Sequence, residues 1–321
     1  MKRVLISGAT GFVGAKLARR VLKDGYQVHL IVRPGHTTWR IESLRKDARL
    51  YETDLEDREA LAKVVHAIRP DWVFHLAAYG AYSWETDFER MIRVNLGGTA
   101  NLIDACLRTG FEALVNTGSS SEYGFKDHPA RESELLEPNS HYALTKAAAT
   151  HLAAYTARSA GIRIPTLRLY SIYGPFEEPN RLMPTLITYG LEGKLPPLVS
   201  PHTARDYVYV DDVVDAYLLA ASRLDAPHDA IYNVGSGAQM TIAEVVDVAR
   251  RVLNIATEPQ WESMESRHWD TSHWVSNAQK IGDALGWKAS TTFEQGFARM
   301  KDWLGSDQAM LAYYRQAIFS K

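Results

Sequence analysis

The 321-residue chain holds a single cysteine, Cys106. That excludes an internal disulfide and a thiolate-built zinc site, and it fits a reducing compartment. No apolar run approaches the roughly 18 residues that span a bilayer, so no membrane segment is expected. Met1-Lys2-Arg3 leads straight into a strand-like segment, without the apolar stretch of a secretory leader. Nor does one charge dominate: 36 Lys+Arg against 38 Asp+Glu leave −2 with histidine neutral. A general nucleic-acid or anionic-membrane binder needs a basic surplus, so any positive charge serving a ligand must be local. Repeats and low-complexity tracts are missing as well. What is present is ordinary globular composition, 46% hydrophobic and 23% charged, in a chain long enough for one large domain or two intimate ones. The expectation is a cytoplasmic enzyme.

Over the first 170 residues, short apolar runs alternate with segments of helical period. Val4-Leu5-Ile6, Val28-His29-Leu30-Ile31-Val32, Arg49-Leu50-Tyr51-Glu52, Trp72-Val73-Phe74-His75-Leu76, Ala113-Leu114-Val115-Asn116 and Ile164-Pro165-Thr166-Leu167-Arg168-Leu169 read as strands. Helical spacing covers 11–24, 59–68 and 95–108, with Gly25 stopping the first helix. Parallel crossovers need a dozen or more residues, so this alternation predicts an α/β fold, a doubly wound parallel sheet with helices on both faces. The strands lack in/out alternation, as strands covered on both faces do. After Gly174-Pro175, prolines at 175, 179, 184, 196, 197 and 201 interrupt the pattern. We therefore expect a domain over 1–174 and a smaller, mixed α/β substrate domain over 175–321, with the chain able to cross back to the first. Residues 307–321 read as a helical tail.

Gly8-Ala9-Thr10-Gly11-Phe12-Val13-Gly14 follows the first strand and opens the first helix. Its glycines serve a tight turn, close approach to a pyrophosphate, and close helix–sheet packing, while the helix start supplies free N–H groups and a positive dipole end. NAD-selective sites place an acid at the end of the second strand. Here the chain reads Val32-Arg33-Pro34-Gly35-His36-Thr37-Thr38-Trp39-Arg40, with no acid. Arg33, with Arg40 as a second reader, suits a ribose 2′-phosphate, so NADP(H) is favoured over NAD(H). The alternative is that Arg33 stacks on adenine or is solvated.

Tyr142-Ala143-Leu144-Thr145-Lys146 places a phenol and an ammonium four residues apart, on one helix face. An adjacent cation favours phenolate, so the expectation is a Tyr142 pKa lowered from its ordinary value of about 10, fit for proton transfer.

The GxxGxxG spacing resembles the extended branch of the short-chain dehydrogenase/reductase superfamily, which implies a Rossmann-like fold. Asn116-Thr117-Gly118-Ser119-Ser120-Ser121-Glu122-Tyr123-Gly124 is similar to that family's stretch carrying the triad hydroxyl. Matching the Tyr-Gly ending gives Ser119, with Ser120 as the near alternative, beside Tyr142 and Lys146. The resemblance further implies coenzyme contacts from Asp54-Leu55, Leu76-Ala77-Ala78 and Asn95, although Asp54 equally suits a helix N-cap. Leu169-Tyr170-Ser171-Ile172-Tyr173-Gly174-Pro175, Asn180-Arg181-Leu182-Met183-Pro184 and the stretch from Ala204-Arg205-Asp206 to Val213 resemble the nucleotide-sugar epimerase/dehydratase group. That likeness implies a nucleoside-diphosphate sugar substrate, contacted by Arg205, Ser120, Ser121 and Ser171. Arg181 and Arg267 are either ligands or surface ion pairs. Tyr79, Tyr82 and Trp84 either line the sugar pocket or pack as an aromatic loop.

The group's 4,6-dehydratases carry an acid pair, or an acid two residues before Tyr-Gly. Those places are Ser120 and Ser121 here, and Glu122 is displaced by one. Reduction of a 4-keto-6-deoxy sugar is the first expectation and 4-epimerisation the alternative. A dehydratase, a reductase of other carbonyls and a coenzyme-sensing module rank lower. The resemblance also implies a homodimer through the helices of 95–108 and 142–157. His151, His268 and His273 form no metal-ligand spacing, so no metal is expected.

Overall fold

The computed structural model describes residues 1–223, 225–264 and 271–320. Seven parallel strands form the principal sheet in the order β3-β2-β1-β4-β5-β6-β9. They are β1 (Arg3–Ser7), β2 (Gln27–Val32), β3 (Arg49–Glu52), β4 (Trp72–His75), β5 (Ala113–Ser119), β6 (Thr166–Leu169) and β9 (Ile231–Val234). A second, mixed sheet is ordered β10-β8-β7, from β7 (Ser171–Tyr173), β8 (Ala204–Tyr209) and β10 (Gln239–Thr241).

Alternate residues of the buried strands face opposite helical layers. Val4 and Ile6 join the core beneath α1 (Phe12–Lys23) and α7 (Val210–Ser222), with Leu17, Val21, Val213 and Tyr217. Leu5 turns to the other core, beneath α2 (Arg58–Ile68), α4 (Thr99–Thr109) and α5 (His141–Ala160). Both layers are apolar, so the strands read as continuous hydrophobic runs. Cys106 lies fully buried in the second layer, and burial pushes its thiol up to about 12. Short α3 (Phe88–Met91) precedes a wide, π-helical stretch over Ile92–Gly98 that runs into α4. The helical pattern over 95–108 concealed that extra residue per turn.

A third core, around Tyr173, Met183, Leu186, Val245, Phe297 and Tyr314, organises the smaller lobe. It is built on α6 (Leu182–Gly190), α8 (Ile242–Leu253), α10 (Phe293–Ser306) and α11 (Gln308–Phe319), while α9 (Gln279–Leu285) packs on the principal sheet beside β9. Residues beyond 174 also complete the first sheet: β9 pairs with β6, Thr166 opposite Ile231. Among the described residues, no helix is long and apolar enough to cross a membrane.

The strand order reverses between β1 and β4. In open α/β sheets, ligands bind outside the carboxyl ends of the strands at such a switch.

Candidate active site

Gly8 leaves β1 at φ +77, and a methyl group there would stand 2.5 Å from the Ala77 amide nitrogen. The segment Leu76-Ala77 thus lies against the glycine turn, tied by the Leu76 amide to the Ser7 carbonyl at 3.1 Å. On Gly14 the same methyl would stand 2.3 Å from the Gly8 carbonyl, so α1 and the turn meet backbone to backbone. Gly11 N-caps α1 without a side-chain cap, and no acid occupies the first turn. The N–H groups over Phe12, Val13 and Gly14 are therefore left for an external anion, and these residues fit the pyrophosphate of a dinucleotide.

At the end of β2, Arg33 is exposed and makes no hydrogen bond or ion pair through its side chain with a described residue. Arg40 differs from expectation. It is 5% exposed, donating to the Phe176 carbonyl at 2.8 Å and to Glu178 at 2.9 Å, and it stacks on Trp39. A guanidinium so engaged is structural, which removes Arg40 as a second phosphate reader. Asp54 is not a helix cap either: Asp57 caps α2, accepting from Ala60 N–H at 3.0 Å, while Asp54 accepts from Glu56 N–H in a local turn. Asp54 and Leu55 remain beside the α4 layer, with Leu55 against Gly98. Ala78 is exposed at the sheet edge.

Asn95, fully buried in the π-helical stretch, brackets the backbone of Tyr79. Its amide also donates to Thr145 Oγ1 at 3.0 Å, and Thr145 donates to the Tyr142 carbonyl. Asn95 thereby joins the loop after β4 to the helix carrying Tyr142 and Lys146. Behind it, Thr99 donates to the Asn95 carbonyl at 2.6 Å, so it accepts from His75 Nε2–H, and His75 Nδ1 accepts from Ser7. His75 is buried, and burial together with Lys146 lowers its pKa to about 3, so the imidazole stays neutral.

Ser119 ends β5 and N-caps a short turn, its hydroxyl accepting from Ser121 N–H at 3.2 Å. The same hydroxyl faces Tyr142 and pulls the phenol's pKa down by hydrogen bonding. Burial outweighs that pull and pushes Tyr142 up to about 12, while it lowers Lys146 to about 8. The acidic phenol expected from the spacing is therefore corrected: burial, not the neighbouring cation, sets its titration. A desolvated ammonium without a hydrogen-bond partner among the described residues does not offset the removal of both groups from water.

Ser120 is 6% exposed and accepts from the Trp274 indole N–H at 3.2 Å. Both line a narrow cleft with Tyr123, Gly124, Lys126, His128 and Tyr170. Trp274, Lys126 and His128 carried no sequence signal, because Trp274 comes from a distant loop and the other two, just past Gly124, fit no motif. Arg205, on β8, stacks on Trp274 and donates to the Ala204 carbonyl, which brings it to the same cleft. Ser171 sits in β7. Arg181 precedes α6, half exposed, 3.8 Å from Glu177. Tyr79 lies under Arg90, and Tyr82 stacks on Trp84, itself largely exposed. Arg267 and His268 lie outside the described residues. Among those described, no cluster of His, Cys, Asp and Glu could hold a metal.

Comparison with known proteins accords with this geometry. The chain is 25% identical over 317 residues to a trifunctional UDP-glucose 4,6-dehydratase/UDP-4-keto-6-deoxy-D-glucose 3,5-epimerase/UDP-4-keto-L-rhamnose-reductase of Arabidopsis thaliana, covering 94% of this chain and 47% of that one. It thus spans about half the length of the first curated relatives it matches. Over 323 residues it is 28% identical to the dTDP-glucose 4,6-dehydratase of Streptomyces griseus, covering 94% and 93%. The UDP-glucose 4-epimerase of Thermus thermophilus, solved in complex with NAD, superposes with a TM-score of 0.82 at 28% identity, covering 94% and 98%. The model of the NAD dependent epimerase/dehydratase family matches residues 4–235, from β1 through the last strand of the principal sheet. The glycine turn, the Tyr142–Lys146 helix and the two-lobed architecture thus have a common explanation: this chain belongs to that family.

Proposed function

We propose that the chain is an NADP(H)-dependent oxidoreductase acting at C4 of a nucleoside-diphosphate sugar, reducing a 4-keto-6-deoxy sugar. The observation that carries this reading is the fate of Glu122. Eliminating water needs an acid facing the substrate, yet Ser120 and Ser121 stand in those places, and Glu122 turns into the core, fully buried against Arg168 at 2.8 Å. Without that acid, Tyr142, Ser119 and Lys146 serve hydride chemistry alone, and Arg33, which suits an exchangeable NADP(H), favours reduction over epimerisation.

The coenzyme would lie over Gly8, Thr10, Gly11 and Gly14, with Arg33 on the 2′-phosphate, and its nicotinamide would supply hydride. Tyr142 gives a proton to the carbonyl oxygen, Ser119 holds that oxygen, and Lys146 holds the nicotinamide ribose. Arg205 takes the diphosphate. A second reading, 4-epimerisation with retained NAD, is favoured by the NAD bound in the Thermus thermophilus relative.

A panel of UDP-, GDP-, CDP- and dTDP-sugars and their 4-keto-6-deoxy derivatives separates the two. Stoichiometric NADPH loss is expected, and inversion of a sugar without net coenzyme use would establish the epimerase instead. Arg33→Ala should lose about tenfold or more in NADPH affinity and little in NADH affinity. Equal losses would return the site to NAD.

We also propose a homodimer across α4 and α5, where Leu107, Leu144 and Tyr155 expose 40%, 49% and 65% of their surface. Sedimentation of Tyr155→Glu should then show a lighter species.

A further inference from the structure

Glu122 is fully buried, yet every contact its carboxylate makes leads to the reaction centre or its frame. Oε1 accepts the backbone N–H of Ser119 at 2.8 Å and the hydroxyl of Thr150 at 2.9 Å. Thr150 lies four residues after Lys146, on the same face of α5. Oε2 accepts from Arg168 Nε at 2.8 Å, and Arg168 is 1% exposed. Arg168 donates onward to the Tyr123 hydroxyl at 2.9 Å, and Tyr123 to Asn233 at 2.8 Å. Asn233 holds the carbonyls of Ala130 and Asn277. One carboxylate thus joins the end of β5, the catalytic helix, β6, β9 and the loops behind the cleft.

The backbone makes room for it. A methyl group on Gly118 would stand 2.8 Å from Glu122 Oε1. The bond to the Ser119 amide closes the capping box of the short turn, but stability gives no reason for burying the Arg168 pair behind it, since apolar side chains of similar volume commonly serve as well as a buried ion pair.

We infer that Glu122 is a positioning residue: by gripping the Ser119 amide and, through Thr150, the Lys146 helix, it fixes where the Ser119 hydroxyl stands relative to Tyr142. Its charge acts on the same groups. Tyr142 faces Ser119, Glu122, Glu85 and Tyr82, and Glu122 raises its pKa. Lys146 faces Glu122 and the neutral His75, and Glu122 raises it against burial. Both reacting groups are thereby kept protonated, as a carbonyl reduction requires.

The inference rests on the proposed roles of Ser119, Tyr142 and Lys146, and the experiment keeps the two apart. Glu122→Gln, Ser119→Ala, the double variant and Tyr142→Phe are assayed with NADPH and dTDP-4-keto-6-deoxyglucose across pH. Glu122→Gln should lower kcat by about tenfold or more, with the KM for NADPH nearly unchanged, and added to Ser119→Ala it should cost less than about threefold. Losing the carboxylate lowers both pKa values, so the alkaline limb of kcat/KM should move down by about half a pH unit or more.

A Glu122→Gln loss that multiplies in full onto Ser119→Ala, or an unmoved limb, would reduce Glu122 to a fold-holding role and overturn the inference. If Glu122→Gln does not fold, Thr150→Val, which leaves the ion pair intact, should lower kcat severalfold in wild type and hardly at all in Ser119→Ala. Equal losses in both backgrounds overturn it. Full turnover by Tyr142→Phe would sink the proposed chemistry and this inference together. An inactive Tyr142→Phe beside a fully active Glu122→Gln would sink this inference alone.

Discussion

Tyr142 and Lys146 stand one helical turn apart, and burial drives each towards its neutral form, the phenol up to about 12 and the ammonium down to about 8. The phenol therefore keeps its proton throughout the working range, as the proposed donor to a carbonyl must. The ammonium is the group that titrates. Above about 8 it loses its charge and with it the proposed hold on the ribose, so kcat/KM for the proposed reduction should fall as pH rises through that value. A pH–rate profile of wild type against Lys146→Arg checks this, because the variant stays charged and should lose the limb. The pairing of the two residues was legible from their spacing. Their titration was not, because a four-residue interval specifies a common face and says nothing of how much water reaches it. Arg33 and Arg40 teach the same lesson. Both follow β2 and look alike in sequence, yet one is exposed and the other is closed in by Phe176, Glu178 and Trp39.

At the scale of elements, local chemistry sets the ends and packing sets the rest. Asp57 caps α2 through the Ala60 amide, leaving Asp54 in its own turn. Asp57→Ala should cost about 1 kcal/mol in urea unfolding, and Asp54→Ala should cost less in the same measurement. Strands β1 to β6 and helices α1, α2 and α4 were readable from period and turn residues, because their apolar faces are continuous. The π-helical stretch over Ile92–Gly98 was not. It comes from the tertiary demands on Asn95, whose side chain must meet both Tyr79 and Thr145. Ser119 was readable as the end of a strand. The inward turn of Glu122 was not, since it depends on Arg168 arriving from β6 and on the space left at Gly118.

The smaller lobe closes over the first through long-range contacts that no local pattern announces. Helix α11 lays Tyr313 and Tyr314 against Trp39, and Tyr314 donates to the Glu177 carbonyl. Beneath it the Glu177 carboxyl is buried, with Oε2 unpartnered, and burial raises its pKa from 4.5 to about 8. The folded protein thus holds this proton more tightly than the unfolded chain does. Stability should decline as pH rises from about 4.5 to about 8, then level off. Glu177→Gln removes that loss, so its melting temperature should exceed that of wild type by more at pH 8 than at pH 5. Calorimetry at the two pH values decides.

Cys106, sealed beneath the α2–α4 layer, gives the molecule a built-in clock. The chain has no other thiol, so every alkylation event reports that this layer has parted. The native protein should react with iodoacetamide only at its opening rate, and saturating NADPH, the proposed coenzyme, should slow the reaction as binding withdraws the open state. Brisk alkylation of the folded protein would mean that this half of the sheet breathes separately from the rest.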